Sequence, residues 1–67
     1  MKRKRLKLIM SLHGDTCATL AEYLGISRTT LSLKLNNKSE FKAIEISKII
    51  DNYGLPIKLA QEIFLKQ

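Results

Sequence analysis

CATLAEYLGISRTTLSLKLN, residues 17–36, is the stretch whose reading decides the fold. It predicts two short helices joined by a tight turn. Ala21 falls in the middle of the first helix, Gly25 in the turn, and Leu31 on the second helix. Each residue type meets a steric demand of such a pair. Helices crossing at about 90–120° bring their backbones close, so the inner face of the first has room only for a small side chain. Ala21 provides one. The turn needs a residue that tolerates positive φ, and glycine does so without a Cβ clash. Leu20, Leu24, Ile26, Leu31 and Leu35 supply the apolar contacts that would hold the pair on a core.

The rest of the chain limits what this pair can belong to. Sixty-seven residues hold one small core of marginal stability, so a single domain over 1–67 is expected. A hydrophobic content of 45% separates it from disordered tails, and 6% aromatic residues with no Trp suit a small bundle built on Leu and Ile. Twelve Lys and Arg stand against six Asp and Glu, a net charge of +6. Such a balance points to a polyanionic partner. Cys17 is the single cysteine, which argues against a disulfide-stapled secreted domain. His13 is the single histidine, and two such ligands do not make a zinc site, so no metal and no cofactor are expected. No apolar run approaches the ~20 residues needed to span a bilayer. Residues 1–5 are basic, but Leu6–Leu12 is too short and too interrupted for a signal sequence. They read as a basic N-terminal arm and helix start on a soluble, cytoplasmic protein.

Working outward from 17–36, the pattern predicts five helices and no strands, an all-α class. The first runs roughly from Lys4 to His13, with Leu6, Ile9, Met10 and His13 at helical spacing, Leu8 and Leu12 widening the apolar face, and Gly14 as the stop. Asp15 or Thr16 can cap the second helix, which ends near Leu24. Ser27 can cap the third, which ends at Leu35 or Asn36, where Asn36-Asn37 tolerates the left-handed conformation. In the fourth, Lys42 takes the cap position, Phe41 and Ile46 the two sides of a hydrophobic staple, and Glu45 the N3 site. Ile46, Ile49, Ile50 and Tyr53 form its inner face and Gly54 ends it. Pro56 opens the fifth, with Leu59, Ala60, Ile63 and Phe64 on one side.

A helix pair of this kind on a basic chain is the arrangement by which proteins place a second helix in the major groove of DNA. If Leu31 and Leu35 face the core, Arg28, Thr29, Ser32 and Leu33 are left to read bases. Arg28 suits guanine O6 and N7, and the Thr29 and Ser32 hydroxyls suit bases or phosphates. Leu33 has two readings: it contacts thymine methyls, or it turns into the core. The phosphate set is Thr16, Cys17 and Thr19 at the start of the second helix, Ser27 at the turn, Lys34 on the flank, and Asn36, Asn37 and Lys38 beyond the third helix. Specific affinity then calls for two copies, and Leu59, Ile63, Phe64 and Leu65 of the fifth helix are the candidate dimer contacts.

At this point the chain resembles the lambda-repressor-like, Cro/CI-type DNA-binding domains of phage and bacterial regulators. The resemblance rests on LAEYLGISRTTLSLKLN (20–36), KSEF (38–41), IEISKIIDNYGLP (44–56) and EIF (62–64). It implies a compact five-helix domain in a bacterial host cytoplasm, binding palindromic operators as a homodimer. The chain departs from the family pattern at Asn37, where many members carry Gly, and at Leu33, a position that is usually polar.

Two other classes of function compete with a sequence-specific double-stranded DNA regulator. One is a protein–protein adaptor of antirepressor or antitoxin type on the same helical scaffold. The other is a basic amphipathic membrane or RNA binder using residues 1–12. The acidic residues are scattered and no nucleophile has a His/Asp arrangement in sequence, so an enzyme is not expected.

Overall fold

The computed structural model describes residues 3–65, which form five helices and no strand: α1 (Arg3–Leu12), α2 (Cys17–Leu24), α3 (Arg28–Leu35), α4 (Ala43–Tyr53) and α5 (Ile57–Phe64). The helices are short, and propensity alone would not hold them. What holds them is one shared core. The five largest fully buried side chains are Leu6, Leu20, Leu31, Ile49 and Ile63, one from each helix in chain order. Met10, Ala21, Leu24, Leu35, Phe41, Tyr53, Ala60 and Phe64 complete the cluster. Phe41, in the loop before α4, meets Phe64 edge-on with ring centroids 5.3 Å apart.

The α2–α3 pair is built as the sequence predicts. Ala21 is 2% exposed on the inner face of α2, and α2 packs directly on α3. Gly25 takes the left-handed conformation at φ 75°, and the Ile26 amide donates back to the Ala21 carbonyl at 3.0 Å. The same closing bond ends α1, α3 and α4: Asp15 to Met10, Lys38 to Leu33 and Leu55 to Ile50. Three of these four turns place Gly at positive φ, and α3 places Asn37 there at φ 62°. Local side-chain bonds fix the starts. Thr16 and Thr19 exchange hydroxyl and amide bonds across the first turn of α2, and the Ser27 hydroxyl accepts from the Thr30 amide at 3.0 Å. The Lys42 amide donates to Glu45 Oε1 at 2.8 Å.

Four expectations need correction. The 1–5 arm is helix where it is described: Arg3, one residue ahead of the expected start, joins Lys4 and Arg5 in the first turn of α1, while Met1 and Lys2 lie outside the described residues. Arg3 is buried, and its guanidinium donates to the carbonyls of Lys34 and Ser39 and lies over the Phe41 ring. Carbonyls at the end of α3 and in the following loop thereby gain charge-assisted partners. Leu8 and Leu12 do not widen the core face of α1; they point to solvent, 65% and 85% exposed. Pro56 sits one residue before α5 as its cap rather than in its first turn. Finally, Ile63 closes the core at 0% exposed and is not available as a dimer contact; Phe64 is buried in the same core at 7% exposed but its edge lines a surface groove, Leu59 is half-buried and Leu65 is exposed.

The least expected feature is an ion pair inside the bundle. Lys34 Nζ and Glu45 Oε1 are 2.5 Å apart, and both side chains are 5% exposed. Burial alone would push the Glu45 carboxyl upward. The hydrogen bonds from Lys34 and the Lys42 amide, with both ammonium charges, outweigh it and hold the carboxyl below its ordinary range.

Candidate nucleic-acid interface

The turn at Gly25 and the cap at Ser27 set the start of α3 so that Leu31 and Leu35 enter the core. Helical geometry then dictates what faces out. Arg28 and Thr29 are exposed, Ser32 is half-buried, and Leu33 is 46% exposed. Leu33 therefore faces solvent, and the core reading is excluded. All four line one shallow concavity, and Cys17 from the first turn of α2 lines it with them. The four base-reading candidates and the N-terminus of α2 are thus brought onto one surface. The Cys17 and Ala18 amides belong to the first turn of α2, where N–H groups have no intrahelical carbonyl to bond. An anion is favoured at such an end.

The phosphate candidates divide on inspection. Lys34 must be withdrawn. Its ammonium is buried and paired with Glu45, and extracting it toward a phosphate would strand a buried carboxylate. Thr19 and Ser27 are exposed, but their hydroxyl protons are committed: Thr19 donates to Asp15 at 2.9 Å and Ser27 donates to Thr30 at 2.9 Å. They serve the helix starts. Thr16 is exposed and its hydroxyl oxygen accepts the Thr19 amide, which leaves its proton to donate outward. Asn36, Asn37 and Lys38 are exposed at the C-terminal end of α3. The Asn36 side chain is held there, its amide donating to the Ser32 carbonyl at 2.9 Å and its oxygen accepting from Lys7 at 3.0 Å.

Asp15 sits beside the start of α2 with its carboxyl held down. The largest cause is the hydrogen bond from Tyr53, at 2.6 Å, followed by that from Thr19. The Tyr53 hydroxyl, largely desolvated and facing this carboxylate, is pushed well above the ordinary tyrosine range. His13 packs against the Tyr53 ring with centroids 4.8 Å apart. This cluster ties the α1–α2 turn to the end of α4, which explains Asp15 and His13 without a ligand.

Sequence reading missed Lys7. It lies 29 residues from Asn36, and only the packing of α1 on α3 brings the two together. No group of three or more His, Cys, Asp or Glu able to hold a metal ion occurs among the described residues, and no helix there is long and apolar enough to cross a membrane. No family model, curated protein or solved structure matches the chain.

Proposed function

We propose that this chain is a sequence-specific double-stranded DNA-binding regulator of lambda-repressor-like, Cro/CI type, reading the major groove with residues 28–36. One observation carries the reading. Arg28, Thr29, Ser32 and Leu33 share one exposed surface with the first turn of α2, on a chain of net charge +6. An α-helix fits the major groove, and its N-terminal outward residues reach base edges while an adjoining helix end meets the backbone. In this arrangement Arg28 addresses guanine, Thr29 and Ser32 hydrogen-bond to bases, and Leu33 lies against thymine methyls. Thr16, the Cys17 amide and Lys38 contact phosphates.

A single domain covers one half-site, so a palindromic operator requires two copies. With Ile63 in the core, the contact available to α5 is the apolar groove between α4 and α5, lined by Ile46, Ile50, Ile57, Ala60, Phe64 and Leu65. The same groove is what an adaptor would offer a protein partner, and it is the feature that keeps that second reading open.

Selection from a random duplex library at ~150 mM salt, where charge-only binding is already weak, tests the reading. A recovered palindromic motif is expected, with half-sites about one helical turn apart. Binding that fades with salt and enriches no sequence would refute it and turn the search to the α4–α5 groove.

A further inference from the structure

A second charged concavity lies outside the reading surface, where α1 meets the end of α3. Lys4, Arg5, Lys7, Asn36 and Asn37 line this cleft of about 510 Å³, and no acidic side chain does. Its walls are fixed by contacts between residues far apart in the chain. The buried Arg3 guanidinium donates to the Lys34 and Ser39 carbonyls and pins the start of α1 to the end of α3. Arg5 is paired with Glu62 at 2.5 Å, which turns part of its charge toward α5. Lys7 donates to Asn36 at 3.0 Å, and an ammonium has further N–H donors to offer. Lys4 is exposed.

The cleft continues the reading surface. Arg28, Ser32 and Asn36 are spaced by four and run down one face of α3. Asn36 ends that row and forms the wall of the cleft. Eight residues at 1.5 Å each put it about 12 Å from Arg28. The major groove of B-DNA is about 12 Å wide. A helix that enters the groove with its first turn and lies across it would bring this cleft to the groove's far wall, within reach of the backbone.

We propose that the cleft is a binding site for a backbone phosphate of duplex DNA, with Lys4 and Lys7 supplying the charge, the Asn37 side chain orienting it, and Asn36, held by Ser32, fixing the Lys7 ammonium in place. The proposal rests on the double-stranded DNA reading above and extends the interface from the helix pair to α1.

Its test is the salt dependence of binding to a duplex of arbitrary sequence, followed by fluorescence anisotropy from about 50 to about 200 mM salt. Each neutralised phosphate contributes about 0.9 to the slope of log K against log salt. Lys4→Gln and Lys7→Gln should each flatten the slope by about that amount, and the double variant by about 1.8. Lys7→Arg should retain it, which keeps the test readable if Lys7→Gln loses its fold through the Asn36 contact. Lys58→Gln, on α5 outside the cleft, removes the same charge and should leave the slope unchanged. A double variant with the wild-type slope overturns the proposal, and so does a Lys58 variant that flattens it equally. Because the duplex is arbitrary, the two readings fail separately. Slope loss without any sequence preference refutes base reading and keeps the cleft. Intact preference with an unchanged slope refutes the cleft alone.

Discussion

Removing one partner of the Lys34–Glu45 pair while leaving the other should cost this protein a large part of its stability. The two groups are 2.5 Å apart with side chains 5% exposed, so Lys34→Met leaves a buried carboxylate without its ion-pair partner, held only by the Lys42 amide and the more distant Lys42 charge. Breaking a buried pair from one side costs about 3–5 kcal/mol. The lower end applies here, because the chain has a radius of gyration of 10.6 Å and no site in it lies far from water. A domain of this length has roughly 3–10 kcal/mol in total. Lys34→Met should therefore lower the melting temperature by about 12–24 °C, at about 4–8 °C per kcal/mol. The double variant Lys34→Met, Glu45→Met removes both charges and should recover most of the loss. The remainder is about 1 kcal/mol for the Lys42 amide, which loses the Glu45 oxygen at the start of α4. Thermal and urea unfolding by circular dichroism of the wild type, both single variants and the double variant gives the coupling directly. Single variants that each lose less than about 1 kcal/mol, adding in the double, would show that the pair is effectively solvated and would refute the argument.

Three further outcomes follow from the same geometry. Ala21→Leu should overpack the α2–α3 crossing and cost about 1–3 kcal/mol, so an unchanged melting temperature would mean that the crossing is not close there. Asn37→Ala should lose about 1 kcal/mol by placing a Cβ without a local hydrogen-bonding side chain at φ 62°, whereas Asn37→Gly should be neutral or slightly stabilising; equal effects in urea unfolding would remove the strain argument. Because Asp15 and Glu45 are held below their ordinary ranges in the fold, their contribution is complete above the usual carboxylate range and is lost as pH falls through the depressed values. Melting temperature should accordingly decline as pH falls below about 5, and less steeply in Tyr53→Phe, which removes the bond that holds Asp15 down; parallel curves for the two proteins would contradict this.

The elements of the fold were legible because they are punctuated locally. Gly14, Gly25 and Gly54 sit at three helix ends, Thr16 and Ser27 at two starts, and all act within one turn of chain. The outward face of α3 was legible for the same reason: once Leu31 and Leu35 are in the core, helical spacing leaves Arg28, Thr29 and Ser32 outside. Leu33 was not, since an apolar residue at the edge of an amphipathic face fits either side until the rotation of the helix is known. What sequence could not show depends on partners far along the chain. Lys34 looked like any flanking lysine, because the carboxylate that claims it is on another helix. Arg3 looked like part of a solvated tail, because its acceptors are carbonyls 31 and 36 residues away. Ile63 and Phe64 looked equally suited to a core or a dimer contact, since periodicity identifies an apolar face without saying what covers it.

The central claim is that α3 reads bases, and Arg28 tests it most directly. Wild-type protein and Arg28→Ala should be titrated against the selected site and against each of its single-base variants at fixed salt. The account predicts that the wild type discriminates at the Arg28-contacted position by about 1–3 kcal/mol and that the variant loses that discrimination while keeping the others. A variant that weakens equally on every sequence, with all preferences intact, would make Arg28 a phosphate contact and contradict the account.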